Sequence, residues 1–545
     1  MRQLTRTLLL VVFFSGQAAC QSAPARASIE GTEAWPRPVP DAASALRPLP
    51  PSLIVLITVD QFRGDYLDRF GSQLQGGLAR LARGAWFTNA HHDHAITETA
   101  PGHATLLSGR FPRSTGIMAN RVGVEDDAAP LLGEPRASGA SPRRFQGTTL
   151  IDWLRTKDSR SRTLSVSMKD RGAILPVGRS RSEVYWYYPD GRFTTSRYYR
   201  DSLPDWVNRF NARHIPQSFA GKSWTLLLPV NAYKEPDSVP VEMAGRNFTF
   251  PHSFTDDSAA AASLIRVSPW MDEITLDFAL SGLTALALGE TSRTDVLAIS
   301  LSATDLIGHG YGPDSREMHD NVLRLDRILG AFLDSLFRLR DSSRVAVVLT
   351  ADHGIGTIPE LVAGSVKPTP VRVDGPALAS GLRDLAAMAN LDTSLVDLDQ
   401  QIVLADRSLA STRRAGLDSV LTLFSLQLKT LPGIERVDRF QDLLRGDTIN
   451  NSIARRWVHQ LPARSNAELV ITLTPFSIFG GIVATHGSPY DYDTHVPLIF
   501  FGPWFVAGRY PEFVRTVDLA PTLSEIAGVK PAEVIDGVVL RRALK

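Results

Sequence analysis

The sequence predicts an α/β fold: a mostly parallel central sheet flanked by helices, with inserted cap or side segments. Three observations carry this reading. Residues 53–59, 296–301, 345–349 and 496–501 are continuous apolar runs, the pattern of strands buried on both faces. Between the second and third runs, Met318, Val322, Leu325, Leu329, Phe332, Leu336 and Leu339 recur by fours and threes. Arg324, Arg327, Asp334 and Arg338 fall off that stripe, as on an amphipathic helix. Strand, helix and strand within about fifty residues make a βαβ unit, and such units build parallel sheets covered by helices.

Ahead of the first run, Arg2 and Arg6 precede apolar residues 8–14, and small residues follow at Ser15, Gly16, Ala18 and Ala19. Basic, apolar, small is the order of a secretory signal, here residues 1–20, and the run is too short to span a bilayer. Ala18-Ala19-Cys20 resembles the end of a bacterial lipoprotein signal, although Gln17 departs from it; the alternative is a free cysteine in a discarded peptide. The expectation is export across the inner membrane, to the periplasm or, with a lipid anchor at Cys20, to the outer membrane. Residues 21–51 are rich in Ala, Pro and Ser and read as a linker. Residues 52–545 read as one catalytic domain. Within it, 360–470 is a helical, Leu-rich insertion, and 125–147 and 215–255 are long loops. No further stretch is long and apolar enough for a transmembrane helix.

The formal net charge is +1, which excludes a mainly electrostatic nucleic-acid binder. With 43% hydrophobic and 21% charged residues the chain is ordinary globular protein. The single cysteine, Cys20, permits no intramolecular disulfide and no thiolate metal cluster. A transition-metal site must therefore use His and carboxylate.

The residues that follow the strands supply such a set. The first run ends in Asp60, the second leads into Thr304-Asp305-Leu306-Ile307-Gly308-His309, and the third into Ala351-Asp352-His353-Gly354. Ligands of open parallel sheets bind at the carboxyl ends of strands. Each residue alone could be a helix cap or a structural turn. Together they favour a divalent metal held by O and N ligands.

These motifs, with His486 in Thr485-His486-Gly487 and the tail Val517-Asp518-Leu519-Ala520-Pro521-Thr522-Leu523, resemble the alkaline phosphatase superfamily. The resemblance covers about residues 53–355 and 480–540. It implies two zinc ions per chain, clamping the attacking and leaving oxygens of an in-line displacement. Asp60, Asp352 and His353 would hold one, and Asp305, His309 and His486 the other. His495 competes with His486 for the last position, but it sits on a strand start, where a structural role is the expectation. The implied nucleophile, also a zinc ligand, is Thr99, four residues before His103; Thr97 is the competitor. A hydroxyl at a helix start sees unpaired N–H groups and a dipole that favour anions. His91, His92 and His94 match no family position and read as a polar surface loop.

Within the superfamily, Thr99-Ala100-Pro101-Gly102-His103 argues against sulfatases, which need Cys or Ser at the first position. Asn120 downstream fits both the type I phosphodiesterases and the Thr-type alkaline phosphatases. Lys169-Asp170-Arg171 resembles a Lys-x-Arg segment of the phosphate monoesterases, and a monoester dianion benefits from added cations. The resemblance thus implies hydrolysis of small-molecule phosphate monoesters, with Asn120, Lys169, Arg171 and the Ala100 backbone N–H on the phosphoryl oxygens. A phosphodiesterase or nucleotide pyrophosphatase on this scaffold is the alternative, and a non-catalytic phosphate-binding surface protein a further one. Residues 184–188, Val-Tyr-Trp-Tyr-Tyr, could line a leaving-group cleft or belong to the core.

Overall fold

The four apolar runs of the sequence lie side by side at the centre of a nine-stranded sheet. The structure, a computed structural model, describes residues 48–134, 137–406 and 414–545. Residues 1–20, Cys20 and nearly all of 21–51 lie outside the described residues. In chain order the sheet comprises β1 (Leu53–Val59), β2 (Ala85–His91), β3 (Thr163–Ser167), β4 (Glu183–Tyr188), β5 (Arg192–Thr194), β6 (Asp295–Leu301) and β7 (Val345–Thr350). Four strands of the 360–470 region, β8 (Val396–Asp399), β9 (Ile402–Ala405), β10 (Ile434–Arg439) and β11 (Ala467–Leu473), form a separate sheet. The large sheet is completed by β12 (His495–Phe501) and β13 (Gly508–Arg515). Its order is β13-β2-β12-β7-β1-β6-β3-β4-β5. Strands β7, β1, β6, β3 and β4 run parallel, while β12 and β5 pair antiparallel with their neighbours.

Every residue of β1, β6 and β7 is buried, as both-face burial requires. One core cluster lies on each face of the sheet: Val55, Ile57 and Val59 of β1 enter one, Ile54 and Leu56 the other. Tyr185 and Tyr187 join the first and Val184 and Trp186 the second, so the aromatic strand β4 is core.

The amphipathic helix of the sequence is Arg316–Leu339, opened by Ser315, whose side chain accepts from the Met318 N–H. Its stripe is buried from Met318 to Leu336, whereas Leu339 at the frayed end is exposed. The helix also orders the long 215–255 segment. Asp320 accepts from Trp224 Nε1 (2.7 Å), the Leu227 N–H (2.7 Å) and the Tyr233 hydroxyl (2.6 Å).

Two expectations need correction. The 360–470 region is not simply helical. Helices Gly375–Met388 and Arg414–Leu428 pack on an antiparallel sheet ordered β8-β9-β11-β10, whose short, charge-interrupted strands hide among the leucines. Nor do His91, His92 and His94 form a surface loop: all three are buried. His91 ends β2 and accepts or donates at Thr494 Oγ1 (3.0 Å) and Asn89 Oδ1 (2.9 Å). His92 donates from Nε2 to the Ala351 carbonyl (2.8 Å) and accepts at Nδ1 from the Thr516 hydroxyl (3.0 Å). Among the described residues, no helix is long and apolar enough to cross a membrane.

Burial drives the His92 imidazole from 6.5 down to about 4, and protonation would forfeit its acceptor bond from Thr516. The unfolded chain therefore takes up the proton first. Stability is fully present above pH 6.5 and falls toward pH 4, by up to about 3 kcal/mol from this residue. Urea melts between pH 7 and 4.5 should show a falling midpoint, with a shallower fall in His92→Gln. Identical pH profiles in the two proteins would contradict the assignment.

Candidate active site

Three carboxylates converge because three neighbouring parallel strands end together. Asp60 follows β1, Asp352 and His353 follow β7, and the helix Ala303–Tyr311 begins just after β6 with Asp305 in its first turn and His309 one turn on. His486 arrives from the segment between the inserted sheet and β12. Asp60 and Asp352 are wholly buried and Asp305 nearly so.

The six residues expected as ligands lie in one pocket, but His353 rather than His309 falls within reach of both Asp305 and His486. Ligand-capable atoms of Asp60, Asp352 and His353 lie within 4.8 Å of one another, and so do those of Asp305, His353 and His486. His353 is thus shared, stacked on His486 with ring centroids 3.6 Å apart. His309 joins through Asp305, its Nε2 3.4 Å from Oδ1.

The histidine tautomers are set by backbone carbonyls, which can only accept. Nδ1 of His309 donates to Ala484 (2.8 Å), Nδ1 of His353 to Gly354 (2.9 Å) and Nδ1 of His486 to Thr97 (2.7 Å). In its neutral form each ring turns an Nε2 lone pair toward carboxylate oxygens 3.4–3.6 Å away, although for His309 burial is outweighed by the charge of Asp305, which raises the pKa. Lone pairs facing anions repel unless a cation sits between them. Nδ1–H held by a carbonyl and Nε2 left free is the usual support of a metal-binding histidine. The all-N/O donor set, three imidazoles and three carboxylates, suits zinc.

Charge in this pocket is unbalanced. Lys169 Nζ stands 2.7 Å from Asp60 Oδ2 and 2.6 Å from Asp305 Oδ2, one cation against three carboxylates. Burial, and then the charges of Asp305 and Asp352, push the Asp60 carboxyl well up. Burial opposes the Lys169 ammonium, but Asp305 and Asp60 outweigh it and hold that pKa above its ordinary value. Burial and then its histidine neighbours His353 and His309 keep the His486 ring neutral.

Thr99 opens helix α1 (Thr99–Leu106), and Lys169 immediately precedes helix α2 (Asp170–Ile174). Thr99 Oγ1 lies 3.4 Å from both His353 Nε2 and Lys169 Nζ. Gly102 lets α1 press on the metal-ligand turn, since a Cβ there would sit 2.2 Å from the Asp352 carbonyl oxygen. His103, one turn on, places Nδ1 3.1 Å from Asp352 Oδ2 and Nε2 2.9 Å from Ser300 Oγ.

The Ala100 N–H, expected at a phosphoryl oxygen, donates to Asn120 Oδ1 (2.8 Å). Because an N–H can only donate, the atom facing it is oxygen, and Asn120 keeps its Nδ2 amide for another acceptor. Arg171 lies on α2 with Asp170 3.7 Å away, and its buried Nε has no hydrogen-bond partner among the described residues. The competitors have structural work elsewhere. Thr97 donates to the Ser488 carbonyl (3.0 Å), and His495 donates from Nε2 to the Thr88 carbonyl (2.9 Å) while stacking on His91.

Sequence reasoning missed Gln61, Glu98 and the placement of His103. Gln61 follows Asp60 with a left-handed φ of 67° and joins the two groups: its N–H donates to Asp352 Oδ1 (3.1 Å) and its Nε2 to Asp305 Oδ1 (3.0 Å). A neutral glutamine carries no motif signal; its position beside a strand-end Asp was the available hint. Beside His486 lies a cavity of about 210 Å³ lined in part by Glu98, Gln400, Phe476, Phe479 and Tyr492.

A profile of the type I phosphodiesterase / nucleotide pyrophosphatase family matches residues 54–368. Alkaline phosphatase PafA of Elizabethkingia meningoseptica is 30% identical over 507 residues, 88% of this chain and 92% of the relative. Alkaline phosphatase PhoK of a Sphingomonas species is 31% identical over 527 residues, 91% of this chain and 92% of the relative. The crystal structure of wild-type PafA superposes with a TM-score of 0.84 at 28% identity, covering 91% of this chain and 99% of that one. Murine ectonucleotide pyrophosphatase / phosphodiesterase 5 shares the fold alone, with a TM-score of 0.52 at 16% identity, covering 90% of this chain and 100% of that one. The chain belongs to the type I phosphodiesterase / nucleotide pyrophosphatase family of the alkaline phosphatase superfamily, and the relatives that match most of its length are alkaline phosphatases.

Proposed function

We propose that this protein is a zinc-dependent phosphate monoesterase that works through a phosphothreonine at Thr99. The observation that carries the reading is the position of Thr99 Oγ1, 3.4 Å from both His353 Nε2 and Lys169 Nζ, where the two ligand groups meet. Asp60, Asp352 and His353 would hold one zinc, with Thr99 beside it, and Asp305, His309 and His486 the other. When bound, such a pair supplies Lewis-acid stabilisation to the attacking and leaving oxygens.

The residues of the chain do the rest. Thr99 Oγ forms a bond to phosphorus as the ester P–O bond breaks, and the departing oxygen leaves as an alcohol after taking a proton. Water then attacks the phosphothreonine, the Oγ–P bond breaks, and inorganic phosphate departs. Lys169, Arg171 and the free Nδ2 amide of Asn120 are the donors for the nonbridging oxygens. The Ala100 amide contributes by fixing the orientation of Asn120. Support for a monoester rather than a diester comes from Lys169, whose ammonium is buried and kept charged beside the nucleophile, and from the alkaline phosphatase names of the relatives that match most of the chain. The cavity beside His486 is large enough for a small leaving group. The basic, apolar, small order of residues 1–20 supports export to the periplasm, or to the outer membrane in the case that Cys20 carries a lipid anchor rather than leaving with a discarded peptide.

Purified protein should release phosphate from p-nitrophenyl phosphate much faster than it cleaves bis-p-nitrophenyl phosphate, and chelation should abolish both. A preference for the diester would establish the phosphodiesterase reading instead. Lys169→Ala with Arg171→Ala should cost the monoester about 10²- to 10⁴-fold in kcat/KM, and the diester much less. Equal losses on the two substrates would remove the assigned role of this pair.

A further inference from the structure

Three consecutive residues of the inserted sheet each bond the neighbour of a functional residue. They are Asp399, Gln400 and Gln401, at the two-residue turn between β8 and β9, where Asp399 pairs with Ile402. Asp399 receives a bidentate bond from Arg121, next to Asn120, with Nε at 3.1 Å and Nη2 at 2.6 Å. Gln400 donates from Nε2 to Glu98 Oε1 (2.9 Å), next to Thr99. Gln401 donates from Nε2 to the Gly487 carbonyl (2.7 Å), next to His486. The other carboxylate oxygen of Glu98 accepts the Asn120 backbone N–H at 2.6 Å. Gln400 therefore reaches Asn120 through one buried carboxylate.

The backbone of the turn argues that this reach matters. Gln400 has φ 52°, in the left-handed region, at the first position of a two-residue hairpin turn, where glycine is favoured. A glutamine there costs local strain that a glycine would remove. What the glutamine gains is the bond to Glu98 and a place in the wall of the cavity beside His486.

We infer that the Asp399-Gln400-Gln401 turn is a positioning element: it holds Asn120, through Glu98, and the His486 loop in their working places from outside the catalytic fold. Gln400 and Glu98 touch no reacting atom and act through Asn120. The inserted sheet is thereby coupled to turnover. This inference rests on the phosphatase reading given above.

The test uses Gln400→Gly in the full-length protein. The substitution relieves the turn, so its thermal midpoint should equal or exceed that of the wild type. Its kcat/KM on p-nitrophenyl phosphate should nevertheless fall about 10- to 100-fold, the scale of losing a buried bond to a charged group. In an Asn120→Ala background the same substitution should cost little, because the group it positions is gone. The reciprocal exchange Glu98→Gln with Gln400→Glu keeps both an acceptor for the Asn120 N–H and a bond between the two side chains, and should recover much of the loss. Wild-type activity in Gln400→Gly, or equal losses with and without Asn120, would overturn the inference alone. Absence of phosphate release from the wild-type protein would instead remove the phosphatase reading, and this inference with it.

Discussion

Burying three carboxylates in one pocket is the constraint on which the rest of this structure depends. Asp60, Asp305 and Asp352 are brought together by the register of β1 with β6 and β7, and their mutual repulsion is unscreened by water. Lys169 offsets only one of the three charges. Everything within reach is arranged around the remaining demand for positive charge. The three imidazoles face the carboxylates with Nε2, Gln61 bonds Asp352 and Asp305 with neutral N–H groups, and His103 packs against Asp352.

The same demand explains where Thr99, the proposed nucleophile, stands. Helix Thr99–Leu106 approaches the Asp352 turn as closely as backbone allows, because Gly102 has no side chain in the way. That approach sets the Thr99 hydroxyl at the edge of the charge cluster, beside the lysine that tempers it. In this carboxylate-rich pocket an alkoxide would need bound cations to outweigh the negative charge, and a threonine on an ordinary surface would be inert. The turn of the inserted sheet bonds the residues flanking Thr99, Asn120 and His486, and its Gln400 lines the cavity beside His486.

Much of this was legible in the sequence, for physical reasons. The four apolar runs proved to be the adjacent strands β12, β7, β1 and β6, because only strands buried on both faces lose the alternation that blurs other strands. Asp60, Asp305, His309, Asp352 and His353 stand out jointly because they follow apolar strand runs, His486 comes from the family resemblance, and the structure brings the six into one pocket. The flanking strands were not legible. Thr163–Ser167 carries three hydroxyls, and Gly508–Arg515 is an exposed edge containing Pro511. Gln61, Glu98 and Gln400 were hidden because they act by shape and hydrogen bonding across large sequence separations. The buried histidines of 91–94 misled because composition cannot distinguish a solvated imidazole from one satisfied by Ala351 and Thr516.

The account stands most directly on whether this pocket holds metal. Elemental analysis of the purified protein, with a parallel sample of Asp60→Asn and Asp305→Asn combined, measures it. The account predicts about two zinc ions per wild-type chain, as a two-metal site requires, and loss of both in the double variant. Less than about one zinc per wild-type chain, or a double variant that retains its zinc, would contradict it.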